Sequence, residues 1–272
     1  MRESAYRKSA FRPLEIPHRY GEHVHLLDDP LAWTLLARAG APKVGQPEVG
    51  RLVRTLYERL VHVVIAAELP RELVSTKTRM VTHHPAEGVY RGLSVASGTK
   101  VVTVGIARAG TMPSQITYEM LTSVLEPDGV RQDHLFMSRV TNTNGEVTGV
   151  DWHDAKIGRE VEGRFIFFPD PMGATGSSMV SAIQHYQERL DGKPERCIAI
   201  HLIVTPEYLK RVQTDAPDAR VYALRLDRGL SPPEVLGLVP GERWSEERGL
   251  NDRQYIVPGA GGIGEVLNNA WV

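Results

Sequence analysis

The stretch Phe165-Ile-Phe-Phe-Pro-Asp170-Pro-Met-Gly-Ala-Thr175-Gly-Ser-Ser178 decides how the rest of the chain is read. An apolar run leads directly into an acidic residue, a short loop of small residues and a helical pattern from Met179. The pattern implies a buried strand whose carboxyl end delivers a carboxylate, followed by backbone N–H groups that can surround an anion. A helix beginning just beyond adds unpaired donors and partial positive charge at the same point. Asp170 is then placed to meet sugar hydroxyls, and residues 174–178 to cradle a phosphate. The loop has neither the Gly-Lys-Ser/Thr ending of a nucleotide-hydrolase phosphate loop nor the three-glycine dinucleotide fingerprint. Ser and Thr also cap ordinary helices, so a ligand role needs support from elsewhere in the chain.

Working outward, the central section alternates apolar strands with helical patterns. Strands are predicted over 100–106, 134–140, 164–168, 196–204 and 220–226, and helices over 113–125, 179–190 and 206–213. Apolar strands joined by crossover helices predict a parallel sheet covered on both faces. Asn144-Gly145 predicts a tight hairpin after the second strand. Ahead of this section, Asp28-Asp29-Pro30 opens a helix that Gly40 closes. A longer helix starts near Pro47, carries Val49, Leu52, Val53, Leu56, Leu60, Val63 and Val64 at helical spacing, and ends at Pro70. Residues 73–95 are strand-like and broken by Pro85 and glycines, as in a projecting β arm. Residues 1–22 are expected to form an irregular arm, 23–272 a single α/β domain, and 227–254, rich in proline and charge, a surface insertion within it.

Composition narrows the function classes. At 272 residues, 42% hydrophobic and 24% charged, the chain is an ordinary globular one with enough length for a large core. A net charge of −1 argues against a broadly nucleic-acid-binding surface. The single cysteine, Cys197, excludes an intrachain disulfide and sits in an apolar run, as a buried structural thiol does. No apolar stretch is long enough to span a bilayer, and residues 1–20 are too polar for a secretory signal. A cytoplasmic protein with neither membrane nor nucleic-acid partner is expected.

In open parallel sheets, ligands sit at the carboxyl ends of the strands. After the first strand comes Ala107-Arg108-Ala109-Gly110, a cation flanked by small residues; the second carries Arg139; the third ends in the Asp170 loop. Two arginines and an anion-cradling loop therefore converge on one crevice, which suits a ligand with phosphates at two positions. Side chains alternate along a strand, so the direction of Arg139 stays open.

These residues resemble those of the uracil phosphoribosyltransferases. Asp170-Pro-Met-Gly-Ala-Thr-Gly-Ser-Ser178 is similar to their phosphoribosyl-pyrophosphate loop, Ile106-Ala-Arg-Ala-Gly110 to their diphosphate-contacting loop, and Tyr255-Ile-Val-Pro-Gly-Ala-Gly-Gly-Ile-Gly-Glu265 to their uracil-binding segment. The three occur in the family's order, within a likeness spanning most of 23–269. The resemblance implies a type I phosphoribosyltransferase fold, with amino-terminal helices and a β arm or hood. It also implies transfer of a 5-phosphoribosyl group to a pyrimidine-like base, giving a nucleoside monophosphate such as UMP and diphosphate. Magnesium would travel with the diphosphate donor, and the protein would be a homodimer or higher homo-oligomer. The donor would be held by Arg108, Arg139, Asp170, Pro171, Met172, Gly173, Ala174, Thr175, Gly176, Ser177 and Ser178, with Asp170, Arg108 and Arg139 the catalytic set. The base would meet Ile256, Gly261, Gly262 and Ile263.

The departures are as specific as the matches. Gly173 stands where the family has a larger residue and is expected to loosen the loop; Ser177 stands where it has a glycine. Gly262 replaces an acidic residue that normally lies near donor and metal, and Glu265 keeps an acid at the last position but is expected to point elsewhere. Two further readings therefore stay open: phosphoribosyl transfer to a different acceptor, and a non-catalytic nucleotide or phosphoribosyl-pyrophosphate sensor. His153 is expected near the crevice as a solvated histidine. His18, His23, His25, His83 and His84 lack partners at a metal-ligand spacing.

Overall fold

A computed structural model describes residues 5–8, 10–141 and 147–270; the side chains of 138–150 lie outside that description. The elements run β1 (Val24–Leu26), α1 (Pro30–Ala39), α2 (Glu48–Glu68), β2 (Arg71–Lys77), β3 (Val89–Val95), β4 (Val101–Ala107), α3 (Thr111–Thr122), β5 (Val130–Thr141) and β6 (Val147–Lys156). They continue with β7 (Phe165–Pro169), β8 (Met172–Gly173), α4 (Ser177–Glu188), β9 (Arg196–Val204), α5 (Pro206–Asp215), β10 (Arg220–Leu226), α6 (Pro233–Leu236) and α7 (Ile263–Asn268). The main sheet has the order β1-β10-β9-β7-β4-β5-β6, with β8 added beside β9. Every pairing in it is parallel except β5 with β6. The α/β class and the five expected strands are present.

The apolar strands explain the two-sided core. All five residues of β7 are buried, and alternate ones serve opposite faces. Phe165 and Phe167 pack with Ile198, Ile200, Tyr222 and the apolar face of α2; Ile166 and Phe168 pack with Ala199, Val221 and the apolar faces of α4 and α5. Helix α1 begins as its sequence dictates, with Pro30 at its first position and the Asp29 carboxylate accepting from the Ala32 N–H at 3.1 Å. The arm expected over 73–95 is the antiparallel β2–β3 pair, a separate two-stranded sheet. The Asn144-Gly145 turn lies outside the described residues, although β5 and β6 do pair antiparallel on either side of it.

The expected arm and surface insertion are tied to each other. The amino-terminal arm is tied down at its end: Tyr20 is fully buried and its hydroxyl donates to Glu247. The segment 227–254 lies on the surface but is anchored. The same Glu247 accepts from Arg228 Nη1 at 2.7 Å and from the Gly241 N–H at 2.8 Å. Arg228 also donates to the carbonyls of Val235, Leu236 and Leu238. A buried glutamate between an arginine and a tyrosine thus binds the arm to the insertion.

At the amino ends of β9 and β10, Glu68 closes α2 onto the sheet. Its carboxylate, with no exposed side-chain surface, accepts from Arg196 and Arg220 at 2.8–2.9 Å and from the Tyr222 hydroxyl at 2.5 Å. Burial alone would raise the Glu68 pKa, but the Tyr222 and arginine contacts outweigh it, holding the group below the ordinary 4.5. Its contribution is fully present above pH 4.5 and is lost as pH falls through the lower folded value. Glu68→Gln should therefore cost about 1–3 kcal/mol in urea unfolding at pH 7. The two unfolding curves should converge on acidification, and a constant difference down to pH 3 would reject the assignment.

Candidate active site

One cleft of about 670 Å³ opens at the carboxyl ends of β4, β7 and β9. It is lined by Arg108, Asp170, Met172, residues 174–178, Ile256 and residues 261–263, so the loop after β4, the loop after β7 and the carboxyl-terminal segment face one space. Arg139 lies on β5, opposite Val150 of β6, and its side chain is outside the described residues. Pro171 and Gly173 are buried just beneath the lining.

The position of Asp170 is fixed by its main chain. The register pairs Pro169 with Ile200, so Asp170 is the first residue past the β7 ladder. Its N–H donates to the Ile200 carbonyl at 3.1 Å, and its own carbonyl accepts from His201 Nδ1 at 2.6 Å. The Asp170 carboxylate accepts from the Met172 N–H at 3.1 Å, an Asx-type turn that starts the loop. Beyond it, Pro171 accepts from the N–H groups of Leu202 and Ile203, and Gly173 accepts from that of Thr205. The buried Thr205 hydroxyl donates to the Ala174 carbonyl at 2.7 Å and accepts from the Tyr208 N–H, capping α5 at the same time.

The form of the loop expected to cradle a phosphate follows from this stitching. Among the described residues, the main-chain N–H groups of Thr175, Gly176, Ser177 and Ser178 donate to no protein acceptor. Gly176 has φ of +83°, a turn that favours glycine and directs the chain into α4. Four orphan donors at the start of a twelve-residue helix, beside two serine hydroxyls and a threonine, are an arrangement that suits an anion. In the neighbouring loop after β4, the Ala107–Arg108 peptide is cis, and Arg108 Nη1 donates to the Ala270 carbonyl at 3.1 Å. Gly110 allows the two loops to approach, since a Cβ there would fall 2.8 Å from the Ile106 carbonyl oxygen and 3.1 Å from that of Pro169.

His201 and Tyr208, which sequence reasoning did not single out, lie at the cleft floor. A carbonyl only accepts, so Nδ1 of His201 carries the proton toward Asp170 and Nε2 accepts from the Tyr208 hydroxyl at 2.6 Å. Burial pushes the His201 pKa down to about 4, against a smaller opposing effect of the Asp170 carbonyl, so the ring is neutral at pH 7. Burial, then the nearby Asp170 charge, raises the Tyr208 pKa well above 10, which keeps its O–H as a donor. A lone histidine inside the apolar run Cys197-Ile-Ala-Ile-His-Leu-Ile-Val204 was the available signal.

Two expectations about departures are corrected. Gly173 does not loosen the loop: it is buried in β8, paired with Val204, and a Cβ there would lie 3.0 Å from Tyr208 Cγ and from Val204 Cγ1. The Tyr208 ring fills the space a larger residue at 173 would need. Glu265 does not point elsewhere: its carboxyl carbon lies 2.9 Å from where a Cβ of Gly262 would stand, and it lines the cleft. His153 is exposed at the cleft rim, as expected, but it lies on strand β6 and not on a loop. Gly173→Ala should cost about 1–3 kcal/mol in denaturant unfolding by overpacking against Tyr208. The loss should shrink in a Tyr208→Leu background, and simple additivity would show that the two sites do not share that space.

The base end of the cleft is braced by the insertion. Residues 249–251 exchange hydrogen bonds with 255–257, and Leu250 pairs with Ile256. The Gly259 N–H donates to Asp227 at 2.7 Å, and its carbonyl accepts from Arg225 at 3.0 Å; Arg225 and Asp227 are themselves paired through two bonds at 2.6 and 2.7 Å.

Known proteins share both the fold and much of the sequence. A solved structure, that of the AQ2163 protein from Aquifex aeolicus, shares the fold with a TM-score of 0.69 at 20% identity, covering 92% of this chain and 99% of that one. The chain is 28% identical over 243 residues to the uracil phosphoribosyltransferase of Variovorax paradoxus, spanning 89% of this chain and 96% of the relative. It is also 28% identical over 244 residues to that of Shouchella clausii, spanning 90% and 97%. The family model described as uracil phosphoribosyltransferase matches residues 49–241, well over half the chain, and the protein belongs to that family.

Proposed function

We propose that the protein is a pentosyltransferase that moves the 5-phosphoribosyl group of phosphoribosyl pyrophosphate onto uracil, giving UMP and diphosphate in pyrimidine salvage. The observation that carries this reading is the single cleft that joins four orphan N–H groups, the Asp170 carboxylate, Arg108 and the Ile256 turn. In the reaction the anomeric C–O bond breaks, its electron pair leaves with diphosphate, and a ring nitrogen of the base bonds to the anomeric carbon as its proton departs. Positive charge grows on the ribose and negative charge on the leaving group. Residues 175–178 would hold the 5-phosphate and Asp170 would accept from ribose hydroxyls. Arg108 and Arg139 would receive the diphosphate, stabilising charge that develops only as the bond breaks. Main-chain groups of Ile256, Gly261, Gly262 and Ile263 would read the edge of the base.

Asp170 and Glu265 are the carboxylates lining the cleft, and among the described residues no group of three metal-ligating side chains forms. That set fits a magnesium that arrives on the donor and keeps phosphate and water oxygens as ligands. Bound there, it would neutralise part of the diphosphate charge.

Arg253 and Gln254, contributed by the insertion, also line the cleft, and this favours a second reading in which the acceptor is a pyrimidine-like base other than uracil. The exposed apolar side chains of the β arm, Leu73 and Tyr90, support a homo-oligomer paired through it. No described helix is long and apolar enough to cross a membrane, in keeping with a cytoplasmic location.

Purified protein with magnesium and donor should release diphosphate in the presence of uracil, with UMP identified by chromatography. A panel of pyrimidines separates the two acceptor readings, and donor binding without release from any base would leave a sensor. Asp170→Asn should lower kcat/KM for the donor by about tenfold or more, since a charge-assisted hydrogen bond becomes a neutral one. Its urea midpoint should stay unchanged, and unaltered kinetics would reject the role.

A further inference from the structure

We propose that Glu265 delivers, from one helical turn further along the chain, the carboxylate that position 262 does not carry, and that it meets the cation travelling with the donor's diphosphate. The assignment deepens the phosphoribosyl-transfer reading above and rests on it. Gly262 leaves room beside its Cα, and the Glu265 carboxyl group occupies that room. Helix α7 holds it there: Gly264 lies against Ala109, with a Cβ at 264 falling 3.3 Å from Ala109 Cβ, and Arg108 donates to Ala270 at the far end of the same segment. The carboxylate therefore stands beside the loop that carries Arg108, in the same cleft as Asp170.

Among the described residues the Glu265 carboxylate makes no hydrogen bond and no ion pair, although it is half-buried. An unpartnered carboxylate facing a cleft built for phosphates repels the ligand unless a cation stands between them. Magnesium is bound in such sites by one or two carboxylates together with substrate phosphates, and Asp170 and Glu265 are two such groups. The alternative is that Glu265 only folds back over the first turn of α7 as a capping residue. Glutamine serves that capping role as well as glutamate does, so Glu265→Gln separates charge from shape.

Calorimetric titration of phosphoribosyl pyrophosphate into the full-length protein, with magnesium and with magnesium chelated, tests the assignment without measuring turnover. Glu265→Gln should weaken donor binding about tenfold in magnesium and leave it equal or tighter in chelator, because the repulsion has been removed. The double variant Gly262→Asp with Glu265→Gln should regain magnesium-dependent affinity, returning the carboxylate to 262. Equal weakening in both conditions, no change in either, or no recovery in the double variant overturns the assignment. Wild-type protein that binds no donor under either condition overturns instead the phosphoribosyl reading beneath it.

Discussion

The site depends on how β9 holds the main chain at Asp170. The β7 ladder ends at Pro169, yet the next residue is still gripped on both sides, by the Ile200 carbonyl and by the His201 ring. This grip needs a neutral imidazole. A protonated ring would present two N–H donors to a carbonyl and a hydroxyl inside a space that is 1% exposed, with no counter-ion in contact among the described residues. Burial removes that state, and the Tyr208 hydroxyl, kept protonated by the same burial, satisfies the remaining nitrogen. With Asp170 fixed, Pro171 and Gly173 follow by main-chain bonds to β9 and Thr205, and the four N–H groups of 175–178 are left facing the cleft. An anion site built this way costs little reorganisation when the ligand arrives.

Much of this was legible because it is local. The alternation of apolar residues through 165–168 and 196–204 encodes a strand buried on both faces, and the two halves of the core divide by that period. The loop at 170–178 could be read directly, since acid, small residues and helix start are contiguous. Strands β1 and β8 were not legible: three and two residues long, they exist because β10 and β9 offer them a parallel edge. The anchoring of 227–254 was hidden for the same reason. It turns on Glu247 meeting Tyr20, a pairing across 227 positions that no window of sequence contains.

The insertion has a structural consequence for the base end. Its last residues pair with 255–257, and Arg225 with Asp227 grips Gly259 through both its N–H and its carbonyl. The turn expected to read the acceptor is thus held from the insertion side, while the donor loops are held from the β9 side. The two supports meet at the end of β9: the Asp227 N–H donates to the Val204 carbonyl at 2.8 Å, and Glu207, on the helix that Thr205 caps, accepts from the N–H groups of Gly249 and Leu250, so the insertion is also tied to the strand and helix behind the donor loop.

Two glycines that break the family motif share a physical logic. At 173 the missing bulk is supplied by the ring of Tyr208, and at 262 the missing carboxylate has its space filled by that of Glu265. In each case the compensating side chain comes from a different position in the chain, 35 residues away in one case and three in the other. The two surroundings differ: Gly173 is buried, where an unfilled space would cost packing, whereas Gly262 and Glu265 are half-exposed at the cleft. A motif compared position by position registers both glycines as losses, whereas the packed structure contains the ring and the carboxylate.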